Sequence, residues 1–444
     1  MKEKKVFAML LTASLILGVT ACGSSDKGNA EKGRDKKETV NDSDVQAGEE
    51  LTIWAWDEAF NIKAAQNARD IYMKTNPDVE ISIVTMAQDD IVAKLNTSLS
   101  SSSYEGLPDI VLIEDYKAQG YLTLYQDEFA DLSDIVKAED FAEYKTAVCQ
   151  TGGKIYGVPF DSGVAATFYR KDYIEQAGFT QKDMRNLTWE KYMEIGKAVK
   201  EKCGVQMCTL DPSDIGQVRM MMQSAGAWYT GDKGEVTIAG NKALKDAIGV
   251  YKALVDSDCT KQVSDWNQFV GALNNGEVAS VISGCWVAPS IQKAEDQSGK
   301  WAVAEFPKME ANQDSVNASS IGGGGWYVLK NVGNQETAKD FLKQTFASSV
   351  ELMNTLAADI TLVSTMNAAA EAENYKKGNA FFGGQEIFKD FAAWTARVPS
   401  VNYGLNTYAI EDLMTKAVQA IVGGADADST LNDYQAQAEA ATAQ

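Results

Sequence analysis

Leu51-Thr-Ile-Trp-Ala-Trp56 opens a run that closes at Asp109-Ile-Val-Leu-Ile113, and the order of elements between these segments sets the fold. The first segment reads as a strand. Phe60 to Lys74 then places Phe60, Ala64, Ala68, Ile71 and Tyr72 at a helical period, and Asn76-Pro77 breaks it. Val79 to Val84 alternates as a second strand. Asp89 to Leu99 sets Ile91, Val92, Leu95 and Leu99 on one side of a second helix, which Gly106-Leu-Pro108 stops. Asp109 to Ile113 is a short apolar strand of the kind buried in parallel sheets. A strand–helix–strand–helix–strand run predicts a right-handed α/β layered fold, whose ligands bind beyond the carboxyl ends of strands. Here those ends carry Trp56-Asp57 and Glu114-Asp115-Tyr116.

The 444 residues hold 62 Asp and Glu against 41 Lys and Arg, a net charge of −21 without any basic cluster. That balance argues against nucleic acid or anionic lipid as a partner. The chain exceeds what one core supports, since single cores stop growing at about 250–300 residues, so two domains are expected. There is no histidine. Ser-His-Asp and Cys-His nucleophile activation, H-E-x-x-H zinc sites and imidazole acid–base chemistry are therefore excluded. Beyond Cys22 the cysteines are Cys149, Cys203, Cys208, Cys259 and Cys285, an odd number without C-x-x-C or metal-ligand spacing. Cys203 and Cys208 are close enough to bridge. No metal or cofactor is expected. Gly322 to Gly325 precede a strand and not a helix, so they form no phosphate cradle. Asp426-Ala-Asp428-Ser429 lacks the central Gly and terminal Glu of a calcium loop and reads as a turn, with Ser429 capping the last helix.

The N-terminus has Lys2, Lys4 and Lys5, an apolar run from Val6 to Val19, and then Thr20-Ala-Cys22-Gly23. This is the pattern of a secretory signal, and its apolar run is short of the roughly 20 residues that span a bilayer. The segment ending at Cys22 resembles the lipobox of bacterial lipoproteins. The resemblance implies removal of residues 1–21 and a diacylglyceryl group on Cys22, which places the protein outside the cytoplasm, lipid-anchored to the outer face of the cell membrane. Residues 22–47 are polar and charged, with almost nothing apolar to bury, and read as a disordered acidic tether. As a flexible coil, a tether of that length spans roughly 30 Å at ~5–6 Å × √n.

Four further stretches carry a family resemblance. Tyr156-Gly-Val-Pro-Phe-Asp-Ser-Gly-Val-Ala-Ala-Thr-Phe-Tyr-Arg170 contains a Gly-x-Pro turn, a short polar step and a strand ending Tyr169-Arg170-Lys171-Asp172. Ala272 to Trp286 runs helix, Asn-Gly, strand and Gly-Cys-Trp; Met222 to Trp228 ends Ala-Gly-Ala-Trp; Ile321-Gly-Gly-Gly-Gly-Trp-Tyr-Val-Leu329 precedes a helix from Glu336 to Phe346. Together these resemble the carbohydrate-specific extracellular solute-binding proteins of ABC importers, the maltose-binding class, with Arg170 departing from that class's usual Asn. The resemblance implies an α/β, two-lobed periplasmic-binding-protein type II fold with two or three crossing segments and a ligand cleft between the lobes. It divides the chain into a first lobe of 48–161 plus 322–366 and a second of 162–321 plus 367–444. It also implies an oligosaccharide ligand and the transmembrane subunits of an ABC permease as partners; a monomer is expected, and no enzymatic activity, since histidine is absent and no suitable carboxylate pair is evident.

Sugars present apolar C–H faces and rims of hydroxyls, so a site for them needs flat aromatic rings together with carboxylates and amides. Trp56, Trp228, Trp286 and Trp326 fall at strand ends or crossings, with Trp286 foremost because it matches the family's stacking position; Trp54 reads as core. Asp161 lies in the first crossing, where a buried charge is costly without a partner. Asp57, Glu114 and Asp115 follow parallel strands, and adjacent strand residues point to opposite faces, so one of Glu114 and Asp115 should face the cleft, Asp115 being favoured. Tyr403 and Asn406, in the loop from Val401 to Tyr408, complete the candidates. Two competing readings remain open at this stage: a glycan-degrading surface lipoprotein using two carboxylates, and a receptor for a polyamine or another small solute.

Overall fold

The computed structural model describes residues 50–442. The leader, Cys22 and the tether lie outside the described residues. Within them, β1 (Glu50–Ala55) pairs in parallel with β2 (Glu80–Thr85) and β3 (Ile110–Glu114). The crossovers are α1 (Asn61–Tyr72) and α2 (Gln88–Ser101), as the spacing of apolar residues requires. Helix α1 turns Ala64, Ala65 and Ala68 into the core. Trp54 joins Ile91, Leu95 and Leu99 of α2 in a buried cluster under the sheet.

The chain continues through α3 (Asp115–Leu124) and α4 (Glu143–Val148) to a two-stranded ladder, β4 (Gln150–Thr151) with β5 (Lys154–Ile155). Then come β6 (Gly157–Pro159) and β7 (Ala165–Arg170), followed by a short parallel pair, β8 (Cys208–Leu210) with β9 (Thr260–Gln262). β10 (Ser280–Gly284), β11 (Trp301–Glu305) and β12 (Gly324–Val328) complete the strands. They build two main sheets. The first has the order β2-β1-β3-β12-β6, in which β12 runs antiparallel to both neighbours. The second is β10-β7-β11, antiparallel throughout.

The backbone passes between the sheets twice, from β6 to β7 and from β11 to β12, and residues 363–364 run alongside the first passage. Ser162 N donates to Val363 O at 2.8 Å, Ile321 N to Gly163 O at 2.8 Å and Ala165 N to Ser319 O at 2.8 Å. Gly322 and Gly323, at φ +77° and +102°, hold a left-handed bend in the second passage that a side chain would strain. Near the C-terminus one expectation changes. The last helix, Ala427–Thr442, is capped by Asp426, whose Oδ1 accepts from Ser429 N at 2.9 Å; Ser429 is the donor there and not the cap.

Candidate functional site

The carboxyl ends of β1, β3 and β10 and the start of β12 converge on a cavity of about 760 Å³. Trp56, Asp57, Glu114, Asp161 and Trp286 all line it, so the structure brings five of the sequence candidates together. Asp57 is set by its own turn, its Oδ1 accepting from Ala59 N and Phe60 N at 2.8 and 2.9 Å before α1. Glu114, the last residue of β3, is held by Lys117 Nζ at 2.7 Å, Gln88 Nε2 at 3.2 Å and Tyr408 Oη at 2.5 Å. Asp161 accepts from Gly324 N at 2.9 Å, which ties the first passage to the second. Burial raises its pKa, against the pull of Lys145 and of that N–H.

Trp286 is half-buried, and its indole N–H donates to Ile321 O at 2.9 Å. A Cβ on Gly284 would stand 2.1 Å from that indole nitrogen, so only glycine lets the ring fold back over the end of β10. The ring is thereby fixed with one side toward the cavity. Beside it stands Trp266, which the sequence reasoning missed. It begins the helix Trp266–Asn274, stacks on Phe269 at 5.0 Å and is 50 % exposed. A Trp and a Phe three residues apart behind an Asp cap read in sequence as a core stripe, so only the solvent exposure of the ring distinguishes it. Lys293 on the same wall was also not singled out.

Five expectations are corrected by burial or by distance. Asp115 does not face the cavity: it opens α3, is buried, and both of its oxygens meet Lys145 Nζ at 2.7 and 2.6 Å. Glu114 takes the cleft position instead. Trp326 is fully buried on β12 of the first sheet, with its ring stacked on Phe346 at 5.0 Å and edge-on to Phe160 at 5.3 Å. Residues of β12 alternate between faces, and this one falls on the face covered by Phe160 and Phe346. Trp228 is 2 % exposed, stacked on Tyr116 at 5.5 Å, and donates from Nε1 to Thr407 Oγ1 at 3.0 Å. Tyr403 is buried edge-on to both of those rings and accepts from Gln223 Nε2 at 3.0 Å. Asn406 lies in a separate hollow of about 300 Å³ with Tyr408 and Lys117.

The five described cysteines are unpaired, Cys203 and Cys208 included. Burial pushes the Cys149 and Cys208 thiols up to about 12, which keeps them protonated and inert. Among the described residues no group of His, Cys, Asp or Glu is placed to hold a metal ion, and no helix is long and apolar enough to cross a membrane.

Two sheets joined by two backbone passages, with an aromatic and acidic cavity at the strand ends, define a two-lobed periplasmic-binding-protein architecture. The chain belongs to the family of bacterial extracellular solute-binding proteins, which it matches over residues 67–383. It is 41% identical over 389 residues to the lactose-binding protein of Rhizobium radiobacter, covering 88% of this chain and 92% of that one. It is 23% identical to the maltooligosaccharide ABC transporter solute-binding lipoprotein of Streptococcus pneumoniae strain R6, over 98% of this chain and 95% of that one. Among solved structures it is similar in fold to the sugar-binding protein MalE of Xanthomonas citri, with a TM-score of 0.75 at 18% identity, over 89% of this chain and 97% of that one.

Proposed function

We propose that this chain is the lipid-anchored receptor of an ABC importer and that it captures a short oligosaccharide, a β-galactoside such as lactose being the first candidate. The observation that carries the reading is the cavity of about 760 Å³ in which the indoles of Trp56, Trp266 and Trp286 stand beside the carboxylates of Asp57, Glu114 and Asp161. Rings accept the C–H faces of a pyranose and carboxylates accept from its hydroxyls. Identity of 41% with a lactose-binding protein across nearly the whole of both chains supports the sugar class. The mechanism is cleft closure: residues 48–161 with 322–366 form one lobe and 162–321 with 367–444 the other. Ligand contacts from both favour the closed state. The closed form docks on the permease subunits, and Cys22 carries the lipid. The receptor acts as a monomer without turning its ligand over.

A calorimetric or thermal-shift screen against oligosaccharides and polyamines tests this, because only a true ligand raises the melting temperature by mass action. Stabilisation by an oligosaccharide is expected. Stabilisation by polyamines alone would move the reading to a cation receptor that exploits the acidic wall. Release of shorter products from a bound oligosaccharide would overturn the assignment as a receptor without catalysis. Cys22→Ala should release the protein from the membrane fraction; retention without an acyl group would overturn the anchor.

A further inference from the structure

Ile321 and Gly322 share one peptide unit, and both of its polar atoms are engaged. The carbonyl oxygen accepts from Trp286 Nε1 at 2.9 Å, and the N–H donates to Tyr116 Oη at 3.3 Å. The unit stands at the edge of the main cavity, where Gly322 lines the wall beside Trp286. Gly322 is held at φ +77°, and a Cβ on it would lie 3.5 Å from the indole nitrogen. A peptide unit is planar and rigid, so its oxygen and its N–H turn together. The hydroxyl of Tyr116 on one side therefore fixes the oxygen that orients the indole on the other.

Tyr116 is itself held firmly. It is the second residue of α3, directly after Asp115, whose carboxylate is gripped by Lys145. Its ring is buried, stacked on Trp228 at 5.5 Å and edge-on to Tyr403 at 4.8 Å and Tyr408 at 6.1 Å. The Arg219 guanidinium lies 5.2 Å from the ring centre, within cation–π range. None of these groups lines the main cavity. Packing of this kind needs only a ring, and phenylalanine would supply it. What tyrosine adds is a hydroxyl, and a buried phenol oxygen seeks a polar partner. That partner here is a left-handed backbone bend beside the foremost candidate for stacking on the sugar. The socket of rings is thus a fixed mount, and the hydroxyl is the point through which it reaches the site.

Resting on the sugar-receptor reading, we propose that Tyr116 is a positioning residue for ligand capture: it touches no ligand, and its hydroxyl sets the orientation of the Trp286 indole through the Ile321–Gly322 peptide. Without that hydroxyl the peptide loses the acceptor for its N–H, its plane is free to rock, and the indole rocks with it. Stacking against a pyranose face then has to include the cost of ordering the ring.

A double-mutant cycle read by calorimetric titration with lactose tests this. Tyr116→Phe keeps the ring and its packing and removes the hydroxyl alone. It should weaken lactose binding about three- to tenfold, the equivalent of one net hydrogen bond. In a Trp286→Ala background the same change should alter affinity by less than about twofold, because the group through which it acts is gone. A residue that merely supports the fold would not behave so: damage to the fold lowers affinity in both backgrounds alike. Parent-like affinity of Tyr116→Phe, or an equal loss with and without the Trp286 indole, overturns the positioning role and leaves the receptor reading standing. Failure of lactose and of every other oligosaccharide in the screen to bind the parent protein overturns both.

Discussion

The ammonium of Lys145 lies 2.6 and 2.7 Å from the two carboxylate oxygens of Asp115, and neither group reaches solvent. Lys145 also donates to Gly324 O at 3.0 Å, and Asp115 N donates to Gly323 O at 3.0 Å. A Cβ on Gly323 would meet Asp115 Oδ2 at 2.8 Å and Lys145 Nζ at 3.0 Å. The ion pair thus sits directly under the second backbone passage and fixes the start of β12. Burial raises the Asp115 carboxyl to about 6 in spite of the ammonium beside it, so it is ionised at neutral pH.

Lys145→Met should destabilise the protein by about 3–5 kcal/mol at pH 7.5, because it strands a carboxylate in the interior. Adding Asp115→Asn should restore most of that loss, since a buried pair exchanged for neutral groups of similar size is nearly neutral overall. Urea unfolding of the single and double variants checks both. A single-variant cost under about 1 kcal/mol would remove the pair from its structural role.

Trp286→Ala should weaken lactose binding by roughly 2–3 kcal/mol, or about 30- to 150-fold, from lost stacking and lost apolar burial. The ring borders an open cavity, so its removal leaves a solvated hollow and the melting temperature should hold. Trp326→Ala should do the reverse. That ring fills a sealed space between Phe160 and Phe346, and deleting it should cost about 3–5 kcal/mol of stability while the folded fraction binds normally. Trp326→Phe should cost much less, since the indole N–H it removes is buried without a partner. Calorimetry and thermal melts on the same samples separate the two positions.

These two tryptophans show where the sequence is readable. Strands and helices from Leu51 to Ile113 follow from period and breakers, because half-buried elements advertise their buried face. Trp56, Asp57 and Glu114 follow from the rule that strand ends carry ligands, Asp161 from its place in a crossing and Trp286 from the family resemblance. Which face of a strand is covered is a tertiary fact. Parity shows that Glu114 and Asp115 diverge, but the partner that claims Asp115 lies 30 residues on in a short helix. Trp326 was misplaced for the same reason: its neighbours Phe160 and Phe346 come from distant segments. Trp228 follows a motif whose aromatic reads as a ligand contact, yet Tyr116 and Tyr403 close over it here. Trp266 escaped notice because exposure at a helix start leaves no periodic signal.

Stability should rise as the solution is acidified from pH 8 to pH 5. Glu411 is buried against Arg219, 3.0 Å away, and burial raises its pKa to about 7, with Asp214, Asp412 and Glu114 adding to the rise. A carboxyl raised in the folded state stabilises fully below its unfolded pKa of about 4.3, and that contribution is lost as pH rises through about 7. The swing is roughly 3 kcal/mol at ~1.4 kcal/mol per pH unit. Glu411→Gln should flatten this part of the profile. A variant whose melting temperature tracks the parent from pH 5 to pH 8 would place the dependence on another group.

Gly163→Ala should damage both stability and binding, and the reason is backbone geometry. Gly163 O accepts from Ile321 N where the first and second passages run together. A methyl at Gly163 would stand 2.5 Å from Ile321 O and 2.6 Å from Gly322 O. Both are main-chain atoms, so no side-chain rotation relieves the contact, and the passages must separate. Overpacking of this kind costs about 1–3 kcal/mol. Here it also displaces Ile321, which holds Trp286, and Gly324, which holds Asp161, so lactose affinity should fall at least about tenfold. Gly249→Ala supplies the contrast. That glycine lies inside the helix Lys242–Asp256 with nothing within 4 Å of the added carbon. Alanine there should stabilise by about 0.5–1 kcal/mol by restricting the unfolded chain, with binding unchanged. If Gly163→Ala matched Gly249→Ala in both measurements, the passages would have slack that the close approach of their backbones denies.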